Sequence, residues 1–149
     1  MLSDRHHPAL DEALIDRLVR RFYARVREDA DLGPIFARAI GDDWEPHLLT
    51  MVDFWSSITL STGRYKGRPM PAHFKHRDVI RPEHFAIWLR LFETTAHEVC
   101  PPDVAEGFVE KAQRIARSLM AGLFYDPAQD RAEAAGITPA MRRVTRPGR

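Results

Sequence analysis

The sequence predicts an all-α domain, and three observations carry that expectation. Apolar residues recur at three- and four-residue steps through most of the first 125 positions. Nowhere do they alternate with the period of two that a half-buried strand requires. Proline and glycine fall mainly at the joints between the periodic stretches, where helices begin and end. With 149 residues, 44% of them hydrophobic, the chain suits one domain with a single core.

In the first segment Leu14, Ile15, Leu18, Val19, Phe22 and Val26 form one face, and Asp16, Arg17, Arg20, Arg21 and Arg25 fill the other. Asp31-Leu32-Gly33-Pro34 interrupts it, Ile35-Phe36 opens a short apolar turn, and Gly41-Asp42-Asp43 breaks the chain again. Asp43 is placed to cap a helix from Trp44 to about Leu60, with Pro46 tolerable in its first turn. This helix carries two stripes, one of Leu48, Val52, Trp55 and Thr59, the other of His47, Met51, Phe54 and Ile58. Two apolar stripes need two surfaces to pack against, and one of those need not be protein.

From Ser61 to Pro71 the chain reads as an ordered loop, followed by a short turn around residues 72–76. Pro82 stands where a helix would start, and Phe85, Trp88, Leu89, Phe92, Ala96 and Val99 give that helix one apolar face. Pro101-Pro102 stops it. Asp103 is placed to cap a last helix in which Val104, Phe108, Ala112, Ile115, Leu119, Leu123 and Phe124 hold the period to about Tyr125. Residues 1–125 form the domain, in about five main helices. Residues 126–149 show little periodicity and hold five arginines against three acids, the composition of a flexible, solubilising tail.

Composition narrows the function. Twenty-two basic and 21 acidic side chains leave a formal charge of +1, too little for a field that draws nucleic acid or a membrane surface. One cysteine, Cys100, excludes an internal disulfide framework and a thiolate zinc site. Met1–Pro8 is polar, which argues against a secretory signal, and every apolar run is shorter than the ~20 residues of a membrane span. A cytoplasmic protein is expected.

The motifs of phosphate-binding loops, serine hydrolases and zincins are missing. Cys100, between Val99 and Pro101, suits packing better than reaction. The histidines say more. His6 and His7 lie in a polar terminus, His97 near a helix end and His84 in a first turn. His73 and His76 make an H-x-x-H pair with Asp78 just beyond, a weak zinc signal because such sites take three or four ligands. His47 continues the Met51–Phe54–Ile58 stripe by one turn. A lone histidine there is usually a hydrogen-bonded core residue. Here the chain also supplies His73 in a proline-bounded loop, with Tyr23 and Trp88 on inward faces of their own helices. Buried tyrosine and tryptophan need partners for their O–H and N–H groups, so this set describes a pocket for a polar ligand within apolar walls.

Several stretches resemble the truncated haemoglobins, group III in particular: Phe22-Tyr23, Asp31-Leu32-Gly33-Pro34-Ile35-Phe36, Trp44-Glu45-Pro46-His47, Phe54-Trp55, Tyr65-Lys66-Gly67-Arg68-Pro69-Met70-Pro71-Ala72-His73 and Phe85-Ala86-Ile87-Trp88-Leu89-Arg90-Leu91-Phe92. Together and in this order they span about Leu14 to Phe124. The resemblance implies a truncated globin fold, a two-over-two helical sandwich around one haem b. It makes His73 the proximal iron ligand and Phe36 the ring on the haem face. Tyr23 and Trp88 would face the distal ligand, with His47 at the gate, Met51 one turn inside it, and Phe54 and Ile58 continuing the wall. Tyr65, Lys66, Arg68, His76, Arg77 and Arg81 are the candidates for the haem propionates.

Each role has a physical basis. Haem is a large apolar disc that suits the second stripe, and neutral imidazole is a suitable iron ligand. Bound oxygen carries partial negative charge that the Tyr23 O–H and Trp88 N–H would stabilise, at very roughly 1 kcal/mol per hydrogen bond. The resemblance departs from the other truncated groups in lacking their paired glycines, and Met51 stands where a smaller or branched aliphatic is expected. It implies oxygen, nitric oxide and carbon monoxide as ligands, with cyanide on ferric iron, and a monomer. Strong distal donors suit reaction: nitric oxide oxygenation, or peroxide activation, with electrons from a separate reductase since the chain has no Rossmann fingerprint. The alternatives are a non-catalytic carrier or sensor, and a haem-free helical interaction domain.

Overall fold

A computed structural model of the chain describes residues 8–67, 73, 76 and 78–124. Five helices lie among them: α1 (Glu12–Glu28), α2 (Leu32–Ile40), α3 (Trp44–Leu60), α4 (Pro82–Val99) and α5 (Pro102–Leu123). The fold is all-α, as the periodicity predicts. Helix α1 packs against α2, α3 and α4, while α4 runs beside α5, so that the α1–α3 and α4–α5 pairs form the body of the domain.

Local chemistry sets the boundaries. The Asp11 carboxylate accepts the Leu14 N–H at 2.9 Å and caps α1. Prolines open α4 and α5 at their first positions, where an N–H would have no partner. The Arg81 N–H donates to His84 Nδ1 at 2.9 Å, so His84 serves the start of α4. Two expectations shift. Helix α5 begins at Pro102, which puts Asp103 inside the first turn, where its carboxylate accepts the Val104 N–H. Asp43 occupies the cap position of α3, but its side chain makes no cap hydrogen bond.

The segment after Asp31 is a nine-residue helix, longer than the turn expected there. Pro34 falls in its first turn, where the missing N–H costs nothing. The Asp29 carboxylate accepts the N–H groups of Asp31 and Leu32, both at 2.9 Å. Gly33 is required for a different reason: a Cβ there would lie 2.7 Å from the Arg27 carbonyl oxygen. Only glycine lets α2 start this close to the end of α1, and that closeness brings Phe36 onto Tyr23.

The core is aromatic at its centre. Phe92 is stacked on Trp55 at 5.0 Å and on Trp88 at 5.6 Å, and Phe22 meets it edge-on at 5.1 Å. Phe108 from α5 closes the group against Trp55 at 5.5 Å. The two buried polar residues of this core, Thr95 and Ser56, are hydrogen-bonded. Thr95 Oγ1 donates to the Leu91 carbonyl and accepts from Arg25, whose other nitrogen holds both oxygens of Glu98. Ser56 joins Thr62 and Arg64, and Arg64 reaches Glu12 and Asp53, tying the loop after α3 back to the start of α1.

Candidate functional site

Tyr23 is the hinge between this core and a second aromatic group. One position after Phe22 on α1, it points about 100° away from it, as consecutive helical side chains do. Its ring meets Phe36 at 5.8 Å, Trp44 at 6.1 Å and His47 at 5.1 Å, while Trp44 and His47 meet edge to face at 5.8 Å. Phe36 lies nearly parallel to Trp44 at 6.5 Å. Helices α1, α2 and α3 thus bring one phenol and one imidazole together inside an apolar wall.

The polar atoms of this wall are poorly provided for. His47 Nε2 is buried without a hydrogen-bond partner among the described residues. Burial pushes the imidazole below its ordinary pKa, and His73 adds to the shift by charge repulsion, so the two histidines lie within electrostatic reach of each other. The Tyr23 side chain is buried, and burial raises its pKa well above the ordinary value with no offsetting partner. Its hydroxyl donates to no described residue. Trp88, fixed against Phe22 at 5.6 Å and Phe92 by its ring, likewise gives its N–H to no described group. Native interiors seldom tolerate a buried nitrogen like that of His47 unless something else completes it, and the half-buried Trp88 and the buried Tyr23 have donors to spare beside it.

The second stripe of α3 behaves as a wall with one uncovered side. Val52 and Trp55 of the first stripe are buried, while Met51 and Phe54 of the second are only partly covered. Phe54 meets Tyr65 edge-on at 5.1 Å, which puts Tyr65 at the border of this face. Burial raises the Tyr65 pKa as well. Ile58 lies elsewhere. It is 39% exposed and lines a groove of about 250 Å³ with Leu10, Thr59, Val104 and Phe108, eleven residues and about 16 Å along the helix from His47.

His73 and His76 are joined through the backbone, the His76 N–H donating to the His73 carbonyl at 2.9 Å. Arg77 and Arg68 lie outside the described residues, as do His6, His7 and the tail from 125 onward; Lys66 and Arg81 are exposed. Among the described residues no three histidine, cysteine or carboxylate side chains gather as a metal site, which leaves the H-x-x-H zinc signal without support. Cys100 is buried and its thiol is pushed up to about 11, so it packs, as its flanking residues suggest. No helix of the described residues is long and apolar enough to cross a membrane. Trp44 is the member of the cluster that helix periodicity did not single out. Its signal was a tryptophan at the first position of a helix, where a small or polar residue would serve the cap equally well.

An all-α domain that sets an imidazole with a buried nitrogen, unpartnered among the described residues, beside a phenol within an apolar wall has the lining of a pocket for a polar ligand. No protein-family model matches the chain. The group 3 truncated hemoglobin of Campylobacter jejuni is 37% identical over 112 residues, which cover 72% of this chain and 86% of that protein. A crystal structure of a group III truncated hemoglobin from the same organism superposes with a TM-score of 0.72 at 34% identity, covering 80% of this chain and 96% of the other. These likenesses make the chain a globin-type haem protein, and it belongs to the group III truncated haemoglobins.

Proposed function

We propose that the chain holds a haem b, for whose iron His73 would supply the imidazole ligand, and that it binds oxygen and other diatomic ligands for redox chemistry such as nitric oxide oxygenation or peroxide activation. The observation that carries this reading is the His47 Nε2, buried, without a partner, and within electrostatic reach of a second imidazole. The donor set fits the group: one imidazole for the iron, a half-covered apolar stripe for the porphyrin, and two O–H or N–H donors without partners for a ligand. Haem, when bound, supplies an iron that takes up a diatomic ligand and exchanges electrons one at a time.

The chain's own residues do the rest. His73 presents a nitrogen lone pair when neutral, and a hydrogen bond to its other nitrogen would set its orientation. Tyr23 has an O–H to donate and no group among the described residues that takes it. His47, held below its ordinary pKa, is neutral near pH 7 and carries a single N–H for the ligand side. Phe36, Met51 and Phe54 exclude water, which strengthens every hydrogen bond made inside. Electrons come from a separate reductase.

Absorption spectra of the purified protein, oxidised, reduced, and reduced with carbon monoxide, test the haem. A Soret band that shifts at each step is expected; no band after hemin is added overturns the reading. Rapid loss of nitric oxide from the oxygenated protein, with nitrate as product, supports the reaction. Slow loss leaves a gas carrier or sensor.

A further inference from the structure

His47 sits at the weak end of its helix. Its N–H makes the first backbone bond of α3, to the Asp43 carbonyl at 3.2 Å, just after Pro46, which has no N–H to give. Asp43 supplies no side-chain cap. A first turn with neither cap nor full backbone bonding frays readily. What holds this one comes from another helix. Arg20 on α1 donates through its two terminal nitrogens to both carboxylate oxygens of Glu45, at 2.9 and 2.8 Å. Asp16, one turn earlier on α1, holds the Arg20 Nε at 3.0 Å and so aims the guanidinium. Seven residues on, the Arg27 guanidinium lies 4.5 Å over the Trp44 ring, and Trp44 backs His47 edge to face. Two arginines two turns apart on one face of α1 therefore grip two successive residues of the first turn of α3.

We propose that Arg20, Glu45, Arg27 and Trp44 form a clasp that positions His47, an inference that rests on the haem reading above. With the clasp shut, the imidazole stands against Tyr23 and faces the ligand side. With it open, the first turn of α3 loosens and the imidazole leaves, clearing a way in. The four are positioning residues, acting only through His47. The hydrogen bonds agree with this arrangement, since Arg20 holds the Glu45 carboxyl below its ordinary value while Glu45 and then Asp16 raise the Arg20 pKa. The Arg20 and Glu45 side chains are 38% and 62% exposed. The ion pair is therefore open to screening by salt, and the clasp is tunable by ionic strength.

The test uses the full-length, haem-loaded protein with carbon monoxide bound, comparing wild type with Glu45→Gln. Three signals are read: the infrared C–O stretching bands, which separate imidazole-near from imidazole-away populations; the carbon monoxide association rate after photolysis; and amide exchange of His47 and Leu48. In Glu45→Gln the away population, the association rate and the exchange rate should each rise about two- to five-fold, the size of effect an exposed ion pair supplies. Wild type in ~1 M salt should move toward the variant, and the variant should respond little to salt. Glu110→Gln, which removes the exposed partner of Arg114 on α5, should change none of the three. In a His47→Ala background Glu45→Gln should no longer alter carbon monoxide association. A bound haem with unchanged bands and rates in Glu45→Gln, or an effect on association that survives His47→Ala, overturns the clasp alone. A protein without a Soret band overturns the haem reading and the clasp with it.

Discussion

Replacing Tyr23 by Phe removes one oxygen atom and leaves the packing in place. The ring contacts with Phe22 at 4.9 Å, Phe36 at 5.8 Å, Trp44 at 6.1 Å and His47 at 5.1 Å all survive in the variant. The hydroxyl that is lost sits on a ring that is 6% exposed and donates to no described residue, and nothing offsets the upward push that burial gives its pKa. A polar group wholly buried without a partner costs about 1–3 kcal/mol, and a hydroxyl at the edge of an open wall costs less. In the ligand-free protein the variant should therefore be as stable as wild type, or more stable by up to about 1 kcal/mol. Such a gain would raise the melting temperature of a domain this size by about 3–4 °C. With oxygen bound the sign reverses. A hydrogen bond worth about 1–2 kcal/mol is lost, so oxygen should leave about 5- to 30-fold faster. Urea unfolding of the haem-free protein and stopped-flow displacement of oxygen by carbon monoxide measure the two sides separately. A variant that loses more than about 1 kcal/mol of stability while its oxygen release rate stays unchanged would refute the reasoning, because the hydroxyl would then be bonded within the protein.

Three further outcomes are expected. His73→Ala should lose the Soret band and regain it with added imidazole; a band kept at wild-type position and intensity would assign the axial base to another residue. Gly33→Ala forces a Cβ to 2.7 Å from the Arg27 carbonyl oxygen and should cost about 1–3 kcal/mol in urea unfolding; an unchanged midpoint would mean that the junction of α1 and α2 gives way freely. The third concerns pH. The folded pKa of His47 is lowered by burial and then by His73, so the unfolded chain takes up that proton first as pH falls. Its contribution to stability is complete above the unfolded value of about 6.5 and is lost as pH drops through the folded value. Urea midpoints of the haem-free protein, taken from about pH 8 to 5, should therefore fall more steeply for wild type than for His47→Gln. Parallel curves would show that the imidazole takes its proton alike in both states.

Most of the frame was legible from local patterns. The bounds of α3 follow from Asp43, Pro46 and an unbroken pair of stripes, and Pro82 marks the start of α4. Helix α2 was harder. Gly33 and Pro34 read as breakers, yet both fall in a first turn, where one tolerates a missing N–H and the other a close backbone neighbour. Periodicity also placed Ile58 on one stripe with His47, which is correct in angle. It carries no information about distance along the axis, and the cluster with Tyr23 ends well before Ile58. Trp44 and the Arg20–Glu45 pair were illegible for a related reason. Arg20 looks like an ordinary charge on a polar face, and its partner lies 25 residues away on another helix. Pairings of that kind exist only once the helices have packed.

The position of Tyr23 explains how the fold supports groups that weaken it. Phe22 and Tyr23 are adjacent, so whatever fixes α1 in rotation fixes both. Phe22 is locked into the group of Phe92 and Trp88, and two further links pin α1: the Arg25 bond to buried Thr95 at 2.9 Å and the packing of Leu18 and Val26, both fully buried. The phenol cannot turn to find a partner without disturbing these contacts, so its O–H stays unspent. His47 is held in the same way from α1, through Trp44. Filling the cluster with apolar side chains would relieve both costs and give a firmer protein, and it would remove the donors a ligand needs. Tyr23 and His47 are therefore the side chains whose loss should leave the empty protein as stable or more so and disable the loaded one. A purely structural cluster would respond to substitution in the same direction in both states.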